Sequence, residues 1–420
     1  MSSPPHERSR THTPREAAVS IARRLIGAGH IAFFAGGCVR DRLMGRPPKD
    51  YDIATDARPE DVHRLFRRAQ SVGESFGVVL VRRLGHTIEV ATFRTDGEYS
   101  DSRHPDEVVF SDAEHDARRR DFTINGLFEN PLTGEIIDHV GGQADIHAGL
   151  IRAIGDPEKR LREDHLRTLR AVRFAARFGF AIEAATAEAI TAAAGELRGI
   201  SRERIGQEVR WMLTDPNRAV AAWEMQYLGL DEVVLEEPHT SAAPKRVGQL
   251  PDHAAYPTVL AAWQLDRQGG QGCDLAATGR RWTAALMLSN VEQRAMRRCV
   301  EIHAVLKESW PHLGVAGRKR LAALPDFNAA LLILKTEDRQ AFADVSRQVA
   351  RLAETALAPP PLITGDDLIG EGYPPGPEFK RVLERVYDAQ LEGEVTTRDQ
   401  ALWRARALMR PGADDGPPGP

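Results

Sequence analysis

The sequence predicts an α+β protein, a small mixed head of strands and helices followed by a long, all-helical remainder. Three observations carry this. Between residues 31 and 94, short apolar runs alternate with glycine turns and charged helical stretches. From Pro157 onward, Ala, Leu, Arg and Glu recur at helical spacing almost without interruption. The chain's 420 residues, 42% of them hydrophobic, suffice for two or three domains with ordinary cores, which excludes global disorder.

The elements follow in order. Residues 1 to about 15 are Ser, Pro, Arg and His without periodicity and read as a mobile tail, as do the last ten, PGADDGPPGP. Ile31–Ala35 is an apolar strand running into Gly36-Gly37, after which Val39–Met44 starts a helix. Tyr51–Thr55 is strand-like, and Pro59 suits the first position of a helix reaching about Gln70. Val78–Leu84 and Thr87–Arg94 form a hairpin turning at Gly85-His86. Thr95–Ala117 is a long polar connection, expected to be mobile. Residues 236–280 collect Pro, Gly and polar residues and read as a loop-rich insertion.

Charge and cysteine content narrow the function classes. Fifty-six Lys and Arg against sixty Asp and Glu give a net charge of −4, which excludes a uniformly basic nucleic-acid coat but not a local basic groove. Cys38, Cys273 and Cys299 lie far apart, so neither a disulfide framework nor a cysteine zinc site follows. No run approaches the roughly 18–20 apolar residues of a membrane span, and the polar N-terminus lacks a secretory signal. The expectation is a cytoplasmic protein with no membrane partner.

Three constellations carry chemistry. In GGCVRDRLMGRPPKDYDIAT, the Gly36-Gly37 turn is either a plain tight turn or a place where backbone N–H groups meet a phosphate, with Arg40 one helical turn further on. Asp50 and Asp52 then flank Tyr51 on a strand, so both carboxylates point the same way. That arrangement is costly without a cation, and hard oxygen ligands suit Mg²⁺. Glu89, on the strand Thr87–Arg94, is a candidate third carboxylate facing the pair.

The second constellation is RRRDFTINGLF, Arg118–Phe128. Asp121 and Asn125 stand four apart on one expected helix face, placed to bond a sugar or order an arginine, and Arg120 reaches toward a triphosphate. The third is EDHLRTLRAVRFAARF, where helical spacing of about 100° per residue sets Arg167, Arg170, Arg173 and Arg177 on one stripe. Leu169, Val172 and Ala176 fall opposite. Glu163 and Asp164 are too few to balance four guanidiniums, so the stripe is expected to await phosphates or nucleic acid. Asp164 and Arg167 form an acceptor and a donor one turn apart. Cytosine and adenine offer an amino donor beside a ring acceptor and match that pair, whereas guanine and uracil do not.

With these motifs in order, the chain resembles the bacterial tRNA nucleotidyltransferase and poly(A) polymerase family, the class with a polymerase-β-like head. Gly-Gly-x-Val-Arg-Asp, Asp-x-Asp, Arg-Arg-Asp-Phe-Thr-Ile-Asn and Glu-Asp-x-x-Arg-x-x-Arg-x-x-Arg-Phe occur at family-like spacing, covering residues 31–215 well and Pro361–Leu383 again. The departures remove no charge: Tyr51 is commonly aliphatic, His165 commonly Pro and Gly126 commonly Ala. The resemblance implies a polymerase-β-like head over 17–155, a helical neck over 156–235, a body over 236–358 and an RNA-binding tail over 359–410. It implies that Asp50 and Asp52 bind two Mg²⁺, that Gly37 and Arg40 bind the triphosphate and Arg120 the nucleotide, and that Asp164, Arg167, Arg170 and Arg173 form the base-and-phosphate pocket.

Members of that family add CCA, only CC, only A, or a poly(A) tail. The Thr95–Ala117 segment resembles the flexible loop of CCA-adding and A-adding members. The stretch Gly73–Gly77 lacks the GRRFR-like string usual in the poly(A) polymerases. The reading is therefore CCA addition to tRNA 3′ ends from CTP and ATP, with A-adding activity next and a catalytically inactive RNA-binding scaffold as the non-enzyme alternative. A metal phosphohydrolase finds only His115-Asp116, inside the polar connection.

Overall fold

The computed structural model describes residues 12–72, 77–96, 108–268 and 274–409. The chain divides into two units, residues 1–241 and 242–420. The first helix, α1 (Pro14–Gly27), begins inside the stretch expected to be a tail. Its sequence explains why. Thr13 accepts the Glu16 N–H at 3.2 Å while the Glu16 carboxylate accepts the Thr13 N–H at 2.9 Å, and Pro14 takes the first helical position.

The strands β1 (Ala32–Ala35), β2 (Asp52–Thr55), β3 (Ala69–Ser71), β4 (Val78–Arg83) and β5 (His86–Thr92) enter one mixed sheet. Next, β6 (Arg94–Asp96) and β7 (Val108–Phe110) pair with each other, and β8 (Leu127–Glu129) and β9 (Ile136–Asp138) complete the seven-stranded sheet, ordered β3-β4-β5-β2-β1-β8-β9. Neighbours are antiparallel except β2 and β5. Between the strands lie α2 (Gly37–Leu43), α3 (Pro59–Leu65), α4 (Ala113–Arg118) and α5 (Gly142–Ala148).

Strand alternation splits the sheet's side chains between two cores. On one face Phe34, Ile53, Val79 and Val90 meet Ala18, Ile21 and Leu25 of α1, all 1% exposed or less. Each large apolar side chain buried in this way contributes about 1.5–3 kcal/mol. On the other face Phe33, Phe93 and Phe128 contact one another at ring-centroid distances of 5.9–6.2 Å. That second face carries the site.

Three expectations need correction. The helix from Pro59 stops at Leu65: Phe66 turns extended and buries its ring, and residues 69–71 pair with β4 at the sheet edge instead. The hairpin turns at Leu84-Gly85, one residue early, because Arg83 and His86 are the last paired residues. The Thr95–Ala117 connection is structured at both described ends, as β6, β7 and α4, while residues 97–107 lie outside the described residues.

The rest of the first unit is mainly helical: β10 (Leu150–Ile151), α6 (Pro157–Glu163), α7 (Arg167–Phe178), β11 (Ala181–Ile182), α8 (Ala184–Ala193), α9 (Arg202–Leu213), α10 (Arg218–Tyr227) and α11 (Asp231–Leu235). The short parallel pair β10–β11 interrupts the helical run expected beyond Pro157. Helix α7 ends at Gly179, whose φ of 72° is the left-handed conformation that closes helices at little cost to glycine.

The second unit is helical throughout its described residues, from Lys245–Gln249 to Arg398–Met409. Residues 236–280 are not simply a loop-rich insertion. Within them Tyr256–Arg267 is a helix whose Trp263 is fully buried, 5.3 Å centroid to centroid from the buried Trp282. The apolar run VLAAWQL outweighs the prolines around it. Cys38 and Cys299 are buried free thiols, and Cys273 lies outside the described residues. Among the described residues no helix is long and apolar enough to cross a membrane.

Candidate active site

A cavity of about 580 Å³ opens in the first unit, on the sheet face opposite α1. Its floor comes from β1, β2 and β5. The parallel register pairs Ile53 with Val90 and Ala54 with Ala91, so one residue earlier Asp52 and Glu89 come side by side, and both line the cavity. Tyr51 turns the other way, edge-on to Phe34 at 5.1 Å, which leaves the Asp52 carboxylate facing the cavity. The surrounding protein strips part of its hydration, and Glu89 and then Asp50 add like charge, so the Asp52 carboxyl is pushed up to about 6. Asp50 is exposed and acts on Asp52 through its charge without lining the cavity.

Next to this floor stands the turn Gly36-Gly37. The Gly36 N–H donates to Leu127 O at 3.1 Å, so Gly37, the first residue of α2, is the glycine left for a phosphate contact. Gly36 has φ of 66°, and a Cβ there would lie 2.9 Å from the Arg120 guanidinium, so only glycine fits without displacement. Arg120 is held in that position from behind. Its Nε and Nη2 donate to Asp116 Oδ2 at 3.2 and 2.9 Å, Nη1 donates to Asn125 O at 3.2 Å, and the group lies over the Phe128 ring.

The opposing wall is α7 and the break before it. Residues 163–178 are not one helix: α6 ends at Glu163, Asp164 is extended, and α7 starts at Arg167. Asp164 Oδ1 accepts the Leu166 N–H at 3.1 Å and Oδ2 accepts from Arg204 of α9 at 2.8 Å. Arg167 donates to Glu163 and, at 2.6 Å, to Arg160 O.

The stripe expected to lack acids is fully matched. Arg170 donates twice to Asp121 Oδ2 at 2.9 and 2.6 Å, Arg173 pairs with Glu208 at 2.7 Å, and Arg177 lies 4.0 Å from Asp41. These acids sit on other elements, out of reach of any helical-spacing argument. Burial alone would raise the Asp121 carboxyl, but Arg170 and the Asn125 amide hold it far below the usual carboxylate range.

Most of the residues singled out by sequence converge here. Gly36, Gly37, Arg40, Asp52 and Glu89 line the floor side; Arg120, Asp121, Asn125, Asp164, Arg167 and Arg170 line the rest. Asp50, Glu163 and Arg173 do not reach the lining. Arg173 instead stacks on Phe174 and Trp211 at 4.5 and 4.9 Å while paired to Glu208. Arg40 lines the cavity with three of its five N–H donors engaged, two on Asp41 Oδ1 at 2.8 and 2.6 Å and one on Asn125 Oδ1 at 2.5 Å. Asp121 and Asn125 do not share an α-helical face. Asn125 closes a 3₁₀ turn, Thr123–Asn125, and donates to Asp121 Oδ1 at 2.9 Å.

Sequence reasoning missed Asp116, Arg119 and Arg204. Asp116 is 1% exposed and grips both Arg119 and Arg120, which lowers its carboxyl against the effect of burial. Its spacing of three and four residues to those arginines was the available signal. Arg204 had none.

Chemically, the cavity sets paired carboxylates and a glycine turn on one side against fixed hydrogen-bonding groups on the other, the requirements of nucleotidyl transfer. Comparisons with known proteins agree. Residues 32–152 match the family model "Poly A polymerase head domain", and residues 179–242 match "Probable RNA and SrmB- binding site of polymerase A". The CCA-adding enzyme of Geobacillus kaustophilus is 46% identical over 403 residues, 93% of this chain and 96% of the relative. That of Geobacillus stearothermophilus is 34% identical over 416 residues, again 93% and 96%. Among solved structures, a Bacillus stearothermophilus CCA-adding enzyme in complex with CTP superposes with a TM-score of 0.76 at 29% identity, covering 95% of this chain and 99% of that one. A Thermotoga maritima CCA-adding enzyme complexed with tRNA shares the fold, with a TM-score of 0.68 at 20% identity over 94% and 95%. Likeness at this identity, running nearly end to end and not confined to the head, places the chain in the family of CCA-adding enzymes, nucleotidyltransferases built on a poly(A) polymerase head domain.

Proposed function

We propose that this cavity adds C, C and A to the 3′ end of tRNA from CTP and ATP, without a nucleic-acid template and with release of pyrophosphate. The observation that supports this best is the pairing within one cavity of the Asp52 and Glu89 carboxylates with the Asp164 and Arg167 pair. The first suits phosphoryl chemistry, the second base selection.

The floor fits Mg²⁺. Its donors are hard oxygens, and Asp50, Asp52 and Glu89 have no ion-pair partner among the described residues. Among those residues no three His, Cys, Asp or Glu side chains close into a complete metal cage. Asp50 and Asp52 would hold the ion, with Glu89 beside them, and Mg²⁺ bound there supplies Lewis-acid activation of the tRNA 3′-hydroxyl and charge neutralisation on the triphosphate.

The chain's own groups do the rest. Gly37 and Arg120 receive the triphosphate, with Asp116 keeping the guanidinium aimed. Asp164 accepts the exocyclic amine of cytosine or adenine, and Arg167 donates to the neighbouring ring acceptor. Arg170 adds positive charge along the wall, while Arg40 braces Asn125 and Arg173 braces α7. The tRNA is held by local basic surface on the helical part of the chain and read largely through backbone and shape.

The test uses purified protein with tRNA ending before CCA, after C and after CC, supplied with labelled CTP, ATP or both. The expected products are two C residues and then one A. Addition of A alone to the CC-ended substrate would replace this reading with an A-adding enzyme, and long A tails on unrelated RNA with a poly(A) polymerase.

A further inference from the structure

We infer that Arg204 is a specificity-determining positioning residue: it pins the Asp164 carboxylate and so fixes which base edge the cavity accepts. The inference rests on the reading of Asp164 and Arg167 as the base-selecting pair. Asp164 lies in the break between α6 and α7, with extended backbone at φ −149° and ψ 104°. No helical turn holds its side chain, so its direction depends on its own contacts. There are two, one per oxygen: the Leu166 N–H at 3.1 Å on Oδ1 and the Arg204 guanidinium at 2.8 Å on Oδ2.

Arg204 can serve as a fixed reference because α9 is fastened to α7. Arg204, Glu208 and Trp211 follow one another along one face of α9 at spacings of four and three. The last two grip Arg173 of α7, through the 2.7 Å ion pair and the ring at 4.9 Å. The same helix face therefore bolts α9 to the selecting helix and extends a guanidinium to the selecting carboxylate. Arg204 itself lines the cavity and keeps 23% side-chain exposure, so its replacement leaves no large buried void.

The consequence is one of discrimination. Uracil carries an imino N–H between two carbonyls, and guanine an imino N–H beside one. A carboxylate free to swing could accept from that imino group and admit either base. A carboxylate pinned on both oxygens keeps its acceptor where only the exocyclic amine of cytosine or adenine arrives. Truncating Arg204 should loosen the choice without removing the acceptor.

The experiment compares kcat/KM for CTP, UTP, ATP and GTP on tRNA substrates ending before CCA and after CC. Four variants are used: Arg204→Gln, Arg204→Lys, Glu208→Gln and Asp164→Ala. Arg204→Gln should raise UTP relative to CTP, and GTP relative to ATP, by about tenfold, the change expected when one hydrogen bond loses its alignment. Arg204→Lys, which keeps the charge but not the fork, should fall between, and it decides the matter if the Gln variant does not fold. Glu208→Gln, which weakens the bolt but keeps the Arg204 guanidinium on Asp164, should lower the melting temperature and relax the ratios by less than Arg204→Gln. Unmoved ratios in both Arg204 variants, with moved ratios in Asp164→Ala, overturn the role of Arg204 alone. Unmoved ratios in Asp164→Ala as well overturn the base-selecting pair itself. Equal relaxation in Glu208→Gln would reduce the effect to general loosening of α9 and overturn the proposal.

Discussion

The two sides of the cavity treat charge in opposite ways. On the arginine wall each guanidinium already has a carboxylate: Arg120 has Asp116, Arg167 has Glu163, Arg170 has Asp121 and Arg204 has Asp164. On the floor, Asp52 and Glu89 stand side by side with no ion-pair partner among the described residues, and Asp50 adds to the repulsion. A guanidinium bonded to one carboxylate still has N–H donors to spare, so the wall is aimed before a substrate arrives and gives it direction. The floor holds like charge that only an incoming cation relieves. The wall should therefore fail through structure, and the floor through chemistry with structure kept.

The largest expected effect tests the floor. Asp52→Asn should lower CCA addition by several orders of magnitude, as loss of a principal acidic group in metal-assisted transfer does. Stability should move the other way. A carboxylate whose folded pKa is raised, here to about 6, penalises the fold once ionised. The penalty is absent below the unfolded value of about 3.9 and complete above the folded one. Without divalent cations the variant should thus melt at the same temperature as the parent near pH 4 and higher at pH 7.5. A variant that melts lower at pH 7.5 would mean the floor is held together by Asp52, and the contrast between the two sides would collapse.

Next in size is the wall. Asp121→Asn leaves Arg170 without its carboxylate, and breaking a buried pair costs about 3–5 kcal/mol. Because the Arg170 side chain keeps 34% exposure, the expected loss is nearer about 2–3 kcal/mol, or roughly 5–10 °C in melting temperature. Activity should drop about ten- to a hundredfold, through misplacement of the wall. The sign with pH is opposite to that of Asp52. A depressed folded pKa gives stability that is present above about pH 4 and lost as pH falls toward the folded value. Urea unfolding from pH 7 to pH 3 should show a constant gap between parent and variant down to about pH 5, narrowing below that.

The same contrast explains what could be read from sequence. The glycine turn is local, fixed by the positive φ of Gly36, and so is the opposition of Tyr51 and Asp52. Both were legible. The expected strand partner Asp50 was not, because β2 begins only at Asp52 and Asp50 does not reach the cavity. The place of Glu89 beside Asp52 depends on β2 pairing in parallel with β5, a register no local pattern encodes. The stripe on α7 was visible, but its partners were not. Asp121 and Glu208 come from elsewhere in the chain, so a matched wall looked like an unmatched one. Asp116 was discounted with the polar connection, although its burial beneath Arg119 and Arg120 makes it part of the wall. Residues 256–267 were discounted with their prolines, though they form part of the second unit's core.

The smallest expected effect sharpens the boundary between floor and core. Tyr51 stands between the two aspartates, yet its ring faces the α1 side, edge-on to Phe34 at 5.1 Å and 61°. It touches the sheet's core and not the cavity. Tyr51→Leu keeps the apolar filling and the alternation that aims Asp52, and loses the aromatic edge contact. Such pairs contribute about 0.5–1.5 kcal/mol beyond their buried area, which in a unit of this size lowers the melting temperature by roughly 1–6 °C. The kcat for C and A addition should stay within about twofold of the parent, since no group on the cavity side has changed. Melting curves and single-nucleotide kinetics on the same preparation check both halves. If kcat falls with the melting temperature, the strand does not insulate its two faces, and the position of Asp52 depends on the core beneath it as well as on β2's neighbours.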